Sequence, residues 1–126
     1  MDTALYELFQ KLGEKYAVQG AQFLPEPQRT EELVKILGRY VEEGWLDDAR
    51  KTAEMLNRSL TTEELVKIFG RCVEEGWLGD ARKTAEMLPE PQRTEELVKI
   101  LGRYVEEGWL DDARKTADAI LASIAR

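Results

Sequence analysis

Three cationic pairs recur along this chain: Lys35 and Arg39, Lys67 and Arg71, Lys99 and Arg103. Each pair has i, i+4 spacing, and each lies 32 residues from the next. On a helix that spacing puts both side chains on one face. The chemistry they offer is recognition, because ammonium and guanidinium groups donate charge-assisted hydrogen bonds to carboxylates. A competing reading is a solvated face that pairs with itself. Glu31–Lys35 and Arg39–Glu43 also have i, i+4 spacing, and such pairs contribute only about 0.2–0.5 kcal/mol each.

No other residues form a reactive constellation. The chain has no histidine, so Ser–His and Cys–His nucleophile pairs and imidazole metal ligands are excluded. Its single thiol, Cys72, occupies the apolar register of Tyr40 and reads as a small buried hydrophobe. The acidic doublets Glu42–Glu43 and Asp47–Asp48 suggest a dyad at first sight. Adjacent helical residues diverge, however, and these doublets fall at helix ends. Gly38 and Gly44 belong to no phosphate-cradling motif. No catalytic residue, metal ligand or cofactor-binding residue is predicted, and the chain is expected not to be an enzyme. Trp45, Trp77 and Trp109 share one register and are expected to cover the turns they occupy and to pack against the next unit.

The composition bounds the class. With 126 residues, 18 basic against 25 acidic side chains and a net charge of −7, nucleic acid is a disfavoured partner. No apolar run approaches the ~20 residues of a membrane span, and Met1–Asp2 does not open a signal peptide, so no membrane partner is expected. One free cysteine and no targeting segment imply a cytoplasmic location for a natural protein.

Repetition then supplies the elements that must position the cations. Thr30–Leu56 recurs from Thr62 and again from Thr94, and Leu24–Ala53 is identical to Leu88–Ala117 over 30 positions. Such identity marks either a very recent duplication or deliberate construction. The middle copy differs by Phe69, Cys72 and Gly79, and enters through Asn57–Thr61 where the others have Pro25–Arg29 and Pro89–Arg93.

Each unit reads as two helices around a glycine turn. Leu33, Ile36, Leu37, Tyr40 and Val41 form the apolar face of the first helix, widened by Val34. Thr30 is the expected N-cap, with Thr61 and Glu64 at capping-box spacing in the middle copy. Gly44 ends the helix. Leu46, Ala49, Ala53 and Leu56 face inward from the second helix. Gly38, Ala49 and Ala53 are expected to allow close helix approach.

A lone hairpin cannot bury these faces, whereas stacked hairpins can. The predicted fold is all-α: a right-handed α-solenoid of stacked helix-turn-helix repeats, forming a single repeat domain over 1–126. Its parts are a capping segment (1–24), repeat 1 (25–56), repeat 2 (57–88) and repeat 3 with an extended last helix (89–126). In the capping segment Leu5, Leu8, Phe9 and Leu12 share one face, with Tyr16, Ala17 and Phe23 assigned to a second helix. Gly13 marks a turn, and one continuous helix remains the alternative. The extension Asp118–Arg126 is placed to shield the final interface. Atypical ends point to a monomer, with Leu5, Phe9 or Ile120–Ile124 as the route to self-association.

The run Leu37-Gly38, Gly44, Leu46, Asp47-Asp48-Ala49, Ala53 and Leu56 resembles the tetratricopeptide repeat signature. Tyr40 and Met55 also resemble the pentatricopeptide pattern. The likeness covers Thr30–Leu121. Departures are the 32-residue period, a shorter path from Leu-Gly to the turn glycine, and tryptophan in the turn rather than early in helix one. The resemblance implies a scaffold whose first-helix face, with Lys35, Arg39, Lys67, Arg71, Lys99 and Arg103, clamps an acidic protein or peptide. Two rival readings stand beside it. One is a designed or purely structural repeat block without a ligand. The other is pentatricopeptide-like binding of single-stranded RNA, opposed by the net charge and by the lack of a variable base-reading position.

Overall fold

A computed structural model describes residues 2–125. Among them are eight helices and no strand, and the chain divides into two compact units, Met1–Leu60 and Thr61–Arg126. Within each unit, helices pack on their neighbours in the chain, an arrangement compatible with a helical repeat. Among the described residues no helix is long and apolar enough to cross a membrane.

The first unit holds α1 (Asp2–Gln10), α2 (Glu14–Ala21), α3 (Gln28–Glu43) and α4 (Leu46–Met55). Gly13, at φ +113°, turns the chain between α1 and α2, so the opening segment is two helices rather than one. Phe9 lies directly over Gly20, where an added Cβ would stand 2.7 Å from the Phe9 Cβ. The same ring meets Tyr16 and Phe23 edge-on, with centroids 6.4 and 6.2 Å away. Phe23 sits in the turn after α2 rather than in the helix. The expected Leu5–Leu8–Phe9–Leu12 face is broken. Tyr6 is buried while Leu8 and Leu12 face outward. α1 ends at Gln10, so Leu12 lies beyond the helix whose periodicity it was assigned to.

In α3 the predicted face of Leu33, Ile36, Leu37, Tyr40 and Val41 is buried, but Val34 is exposed and widens nothing. The helix also starts before Thr30. The Glu26 carboxylate reaches forward, accepting from the Thr30 backbone N–H at 3.0 Å and from its hydroxyl at 2.6 Å. It thereby satisfies the Thr30 backbone N–H, one of the helix's early donors, and Thr30 lies inside the helix rather than capping it. Gly44, at φ +79°, closes α3 in a Schellman turn: Trp45 N–H donates to the Tyr40 carbonyl and Gly44 N–H to that of Val41. The same two bonds recur at Gly76 and Gly108. α4 buries Leu46, Ala49 and Ala53 as predicted, and leaves Leu56 half-buried. Gly38 is not a close-approach glycine, since nothing lies within 4 Å of a Cβ built there.

The second unit holds α5 (Thr62–Glu75), α6 (Leu78–Glu86), α7 (Gln92–Glu107) and α8 (Leu110–Ile124). Thr61 and Glu64 form the predicted capping box, with bonds of 3.1 and 2.9 Å. Leu65, Ile68, Phe69 and Cys72 are buried in α5. Relative to the other copies, a larger Phe69 offsets only a small part of the volume lost where Cys72 replaces the tyrosine one turn on. The extension of α8 does not shield the unit's end. Ala119, Ala122 and Ser123 line a small cavity with Glu86 and Arg93, while Val105 and Leu110 stay exposed.

Candidate functional site

Helix periodicity puts all six cations outside the buried face, and the structure assigns them unequal surroundings. Lys35 pairs with Glu32 at 3.3 Å, one turn back, not with Glu31. Arg39 reaches out of α3 to Glu14 of α2 at 3.4 Å instead of pairing with Glu43. Arg71 keeps the i, i+4 pairing, 3.1 Å from Glu75, with Glu74 at 3.9 Å. Its Nε is buried without a hydrogen-bond partner. Lys99 pairs with Glu96 at 3.2 Å. Among the described residues, Lys67 and Arg103 form no ion pair.

The structure brings Lys99 and Arg103 together around an apolar floor. In the second unit they and Glu96 line a cavity of about 210 Å³ with Phe69, Val73 and Ile100. The floor is buried or half-buried, so the cations stand beside low-dielectric surface, where a charge-assisted bond is worth more than in open water. This arrangement can seat an apolar side chain next to a carboxylate.

On α3 the same stripe is closed by the opening helices. The Tyr6 hydroxyl donates to Glu32 Oε2 at 2.9 Å and accepts from Gln10 Nε2 at 3.0 Å. Burial, reinforced by the Glu32 carboxylate, pushes the Tyr6 phenol up to about 12. Tyr6 escapes a reading based on periodicity because it lies off the stripe formed by its leucine neighbours.

The tryptophans are only partly covered. Trp45 lies against Tyr40 and Trp109 against Tyr104, with ring centroids 5.7 and 6.1 Å apart. At Trp77 the corresponding ring is absent because Cys72 replaces it. Trp77, Trp109 and Tyr104 line an open cavity of about 400 Å³ with Asp80 and Asp112. In the first unit Tyr40 and Trp45 line one of about 430 Å³ with Glu14, Lys15 and Lys51. Burial pushes Tyr40 up to about 12, aided by Asp48 and Glu14.

Three buried threonines were missed. Thr52, Thr84 and Thr116 each donate a hydroxyl bond of 2.8–2.9 Å to the carbonyl four residues back. Their signal is positional: each directly precedes an inward alanine and falls three residues after another. Cys72 is fully buried, and burial with the nearby Asp80 pushes its thiol up to about 11. Among the described residues, no three Cys, Asp or Glu side chains gather as a metal site. No protein-family model, curated protein or solved structure matches the chain.

Proposed function

We propose that this chain is a non-enzymatic helical-repeat protein, its hairpins stacked as a right-handed α-solenoid, that serves as a protein- or peptide-interaction scaffold. The observation carrying this reading is the second-unit cavity, where Arg103, without an ion-pair partner among the described residues, stands with Lys99 beside Phe69, Val73 and Ile100. A short acidic segment with one large apolar side chain fits that chemistry. The apolar group fills the floor while its carboxylates meet the two cations.

The test is a binding screen of the intact chain against acidic peptides that each carry one leucine or phenylalanine. Arg103→Glu should weaken the best binder at least tenfold, which is about 1.4 kcal/mol. Lys35→Glu, at an exposed lysine of the first unit paired with Glu32, should leave it within a factor of two. Equal affinity for wild type and Arg103→Glu would sink the proposal. A second reading, a structural repeat block without a ligand, is favoured by one observation: four of the six cations already pair with acids of this chain.

A further inference from the structure

Three positions of the repeat unit show what the end of the second unit lacks. In repeat 2 they are Phe69, Val73 and Leu78, and α7 covers them, leaving Leu78 only 4% exposed. In repeat 3 they are Leu101, Val105 and Leu110, on the far side of α7 and α8. There Val105 is 55% and Leu110 52% exposed, next to a half-exposed Trp109. The fold has thus built the same docking surface twice inside one unit, and within that unit only the first copy is covered. The interior states what kind of element fits: the apolar edge of another helical hairpin.

The chain carries a second unpartnered edge of this kind. Leu8 of α1 is 59% exposed and Leu12, in the turn that follows, 62%. The two edges differ in charge. Lys11 and Lys15 flank Leu12, and among the described residues neither forms an ion pair; Glu7 lies beside Leu8, and Glu14 is taken up by Arg39 at 3.4 Å. Val105 and Leu110 are flanked by Glu106, Glu107, Asp111 and Asp112, with no base between them. Two copies of the acidic edge facing each other would juxtapose like charges, whereas Lys11 and Lys15 of the opening edge against the acidic one pair them.

We propose that copies of this protein dock head to tail. The Leu8–Leu12 edge of one copy, with Lys11 and Lys15, seats on the Val105–Leu110 edge of the next, with Glu106 and Glu107. Such an interface is heterologous, so each docked copy presents a fresh edge and assembly grows with concentration. The surface is separate from the Arg103 cavity, and its test is independent of peptide binding.

Sedimentation of the full chain should give a weight-average mass that starts at 14.4 kDa and rises as concentration approaches about 1 mM. The rise should shrink when salt is raised to about 1 M, where the screening length falls to ~3 Å. Two doubly substituted chains then test the pairing, Leu8→Glu with Leu12→Glu, and Val105→Lys with Leu110→Lys. All four positions are more than half exposed, so helicity by circular dichroism should match wild type. Each variant alone should stay at monomer mass, and their mixture should form a species of twice that mass, since one intact edge of each kind remains. A wild-type mass that stays flat overturns the proposal. So does association of either variant by itself, which would mean that like edges meet.

Discussion

α3 and α7 have the same 16 residues, and the structure gives them the same helix but different chemistry. Both start before their threonine with a glutamate reaching forward. Both end in a left-handed glycine, and both bury the leucine, isoleucine and tyrosine of one face. The outer stripes diverge. On α3, Glu32 is held by Tyr6 and Arg39 by Glu14. On α7, Arg103 is left beside an apolar floor. The repeated sequence therefore determines the helix and the innermost face, while what packs beside it decides the rest: Val41 is buried and Val105 exposed, and the available surface differs accordingly.

The comparison is broken most directly at the core. Leu33 and Leu97 are both fully buried at the same register. Alanine at either should cost about 2–5 kcal/mol in urea unfolding, the sum of lost transfer energy and residual cavity. Two similar values would support equivalence of the cores. A difference above about 2 kcal/mol would show that identical helices sit in unequal interiors.

Glycine substitutions separate the opening hairpin from the repeats. Gly20→Ala places a methyl group 2.7 Å from the Phe9 Cβ and should destabilise by about 1–3 kcal/mol through overpacking. Gly38→Ala and Gly102→Ala add a methyl group in open space within helices and should stabilise by about 0.5–1 kcal/mol each. Thermal melts of the three variants report both signs at once. If Gly20→Ala proves neutral, Phe9 is free to move and α1 is less firmly docked than its aromatic contacts imply.

Much of this was legible beforehand, for reasons that particular residues expose. Leu33, Ile36, Leu37, Tyr40 and Val41 recur at helical spacing, and periodicity determines which side of a helix is buried. Thr61 with Glu64 was readable because both halves of a capping box lie in the sequence. Thr30 misled because a glutamate four residues earlier competes for the same role, and spacing alone cannot rank the two. Val34 lies next to Leu33 in sequence but about 100° around the helix, just outside the buried arc. The pairing of Arg39 with Glu14 was not legible at all. It depends on how α2 packs against α3, and no local pattern encodes that.

A pH titration sharpens the contrast through Tyr6, the residue that closes the α3 stripe. Its phenol is raised to about 12, against an ordinary value near 10 in the unfolded chain. The folded state therefore holds this proton more tightly. Its stabilisation is complete below pH 10 and is lost as pH climbs from about 10 to 12. Tyr40 acts with the same sign over the same window. Tyr6→Phe should flatten part of the alkaline loss of stability measured by urea titration between pH 9 and 11. An unchanged slope would remove Tyr6 from the account. At pH 8, well below that range, Cys72, buried and raised to about 11, should react with a thiol reagent only after unfolding.

The smallest expected effect isolates the element that distinguishes the two helices. Arg39 and Glu14 pair at 3.4 Å with both side chains substantially exposed, a geometry that contributes about 0–1 kcal/mol and weakens in salt. Glu14→Gln should therefore leave the unfolding midpoint nearly unchanged while freeing Arg39 of its ion-pair partner, as Arg103 is on α7 among the described residues. Released in this way, Arg39 still faces the opening helices, with position 14 and Tyr6 against its stripe, and not the floor of Phe69 and Val73 beside Arg103. An acidic peptide that binds the second unit should gain no second site in Glu14→Gln, and titration should keep its stoichiometry. A new site of similar affinity would mean that the cation alone recognises the peptide and that the apolar floor contributes nothing. An unchanged stoichiometry assigns the selectivity to the floor, which depends on what packs beside the repeated helix rather than on the helix itself.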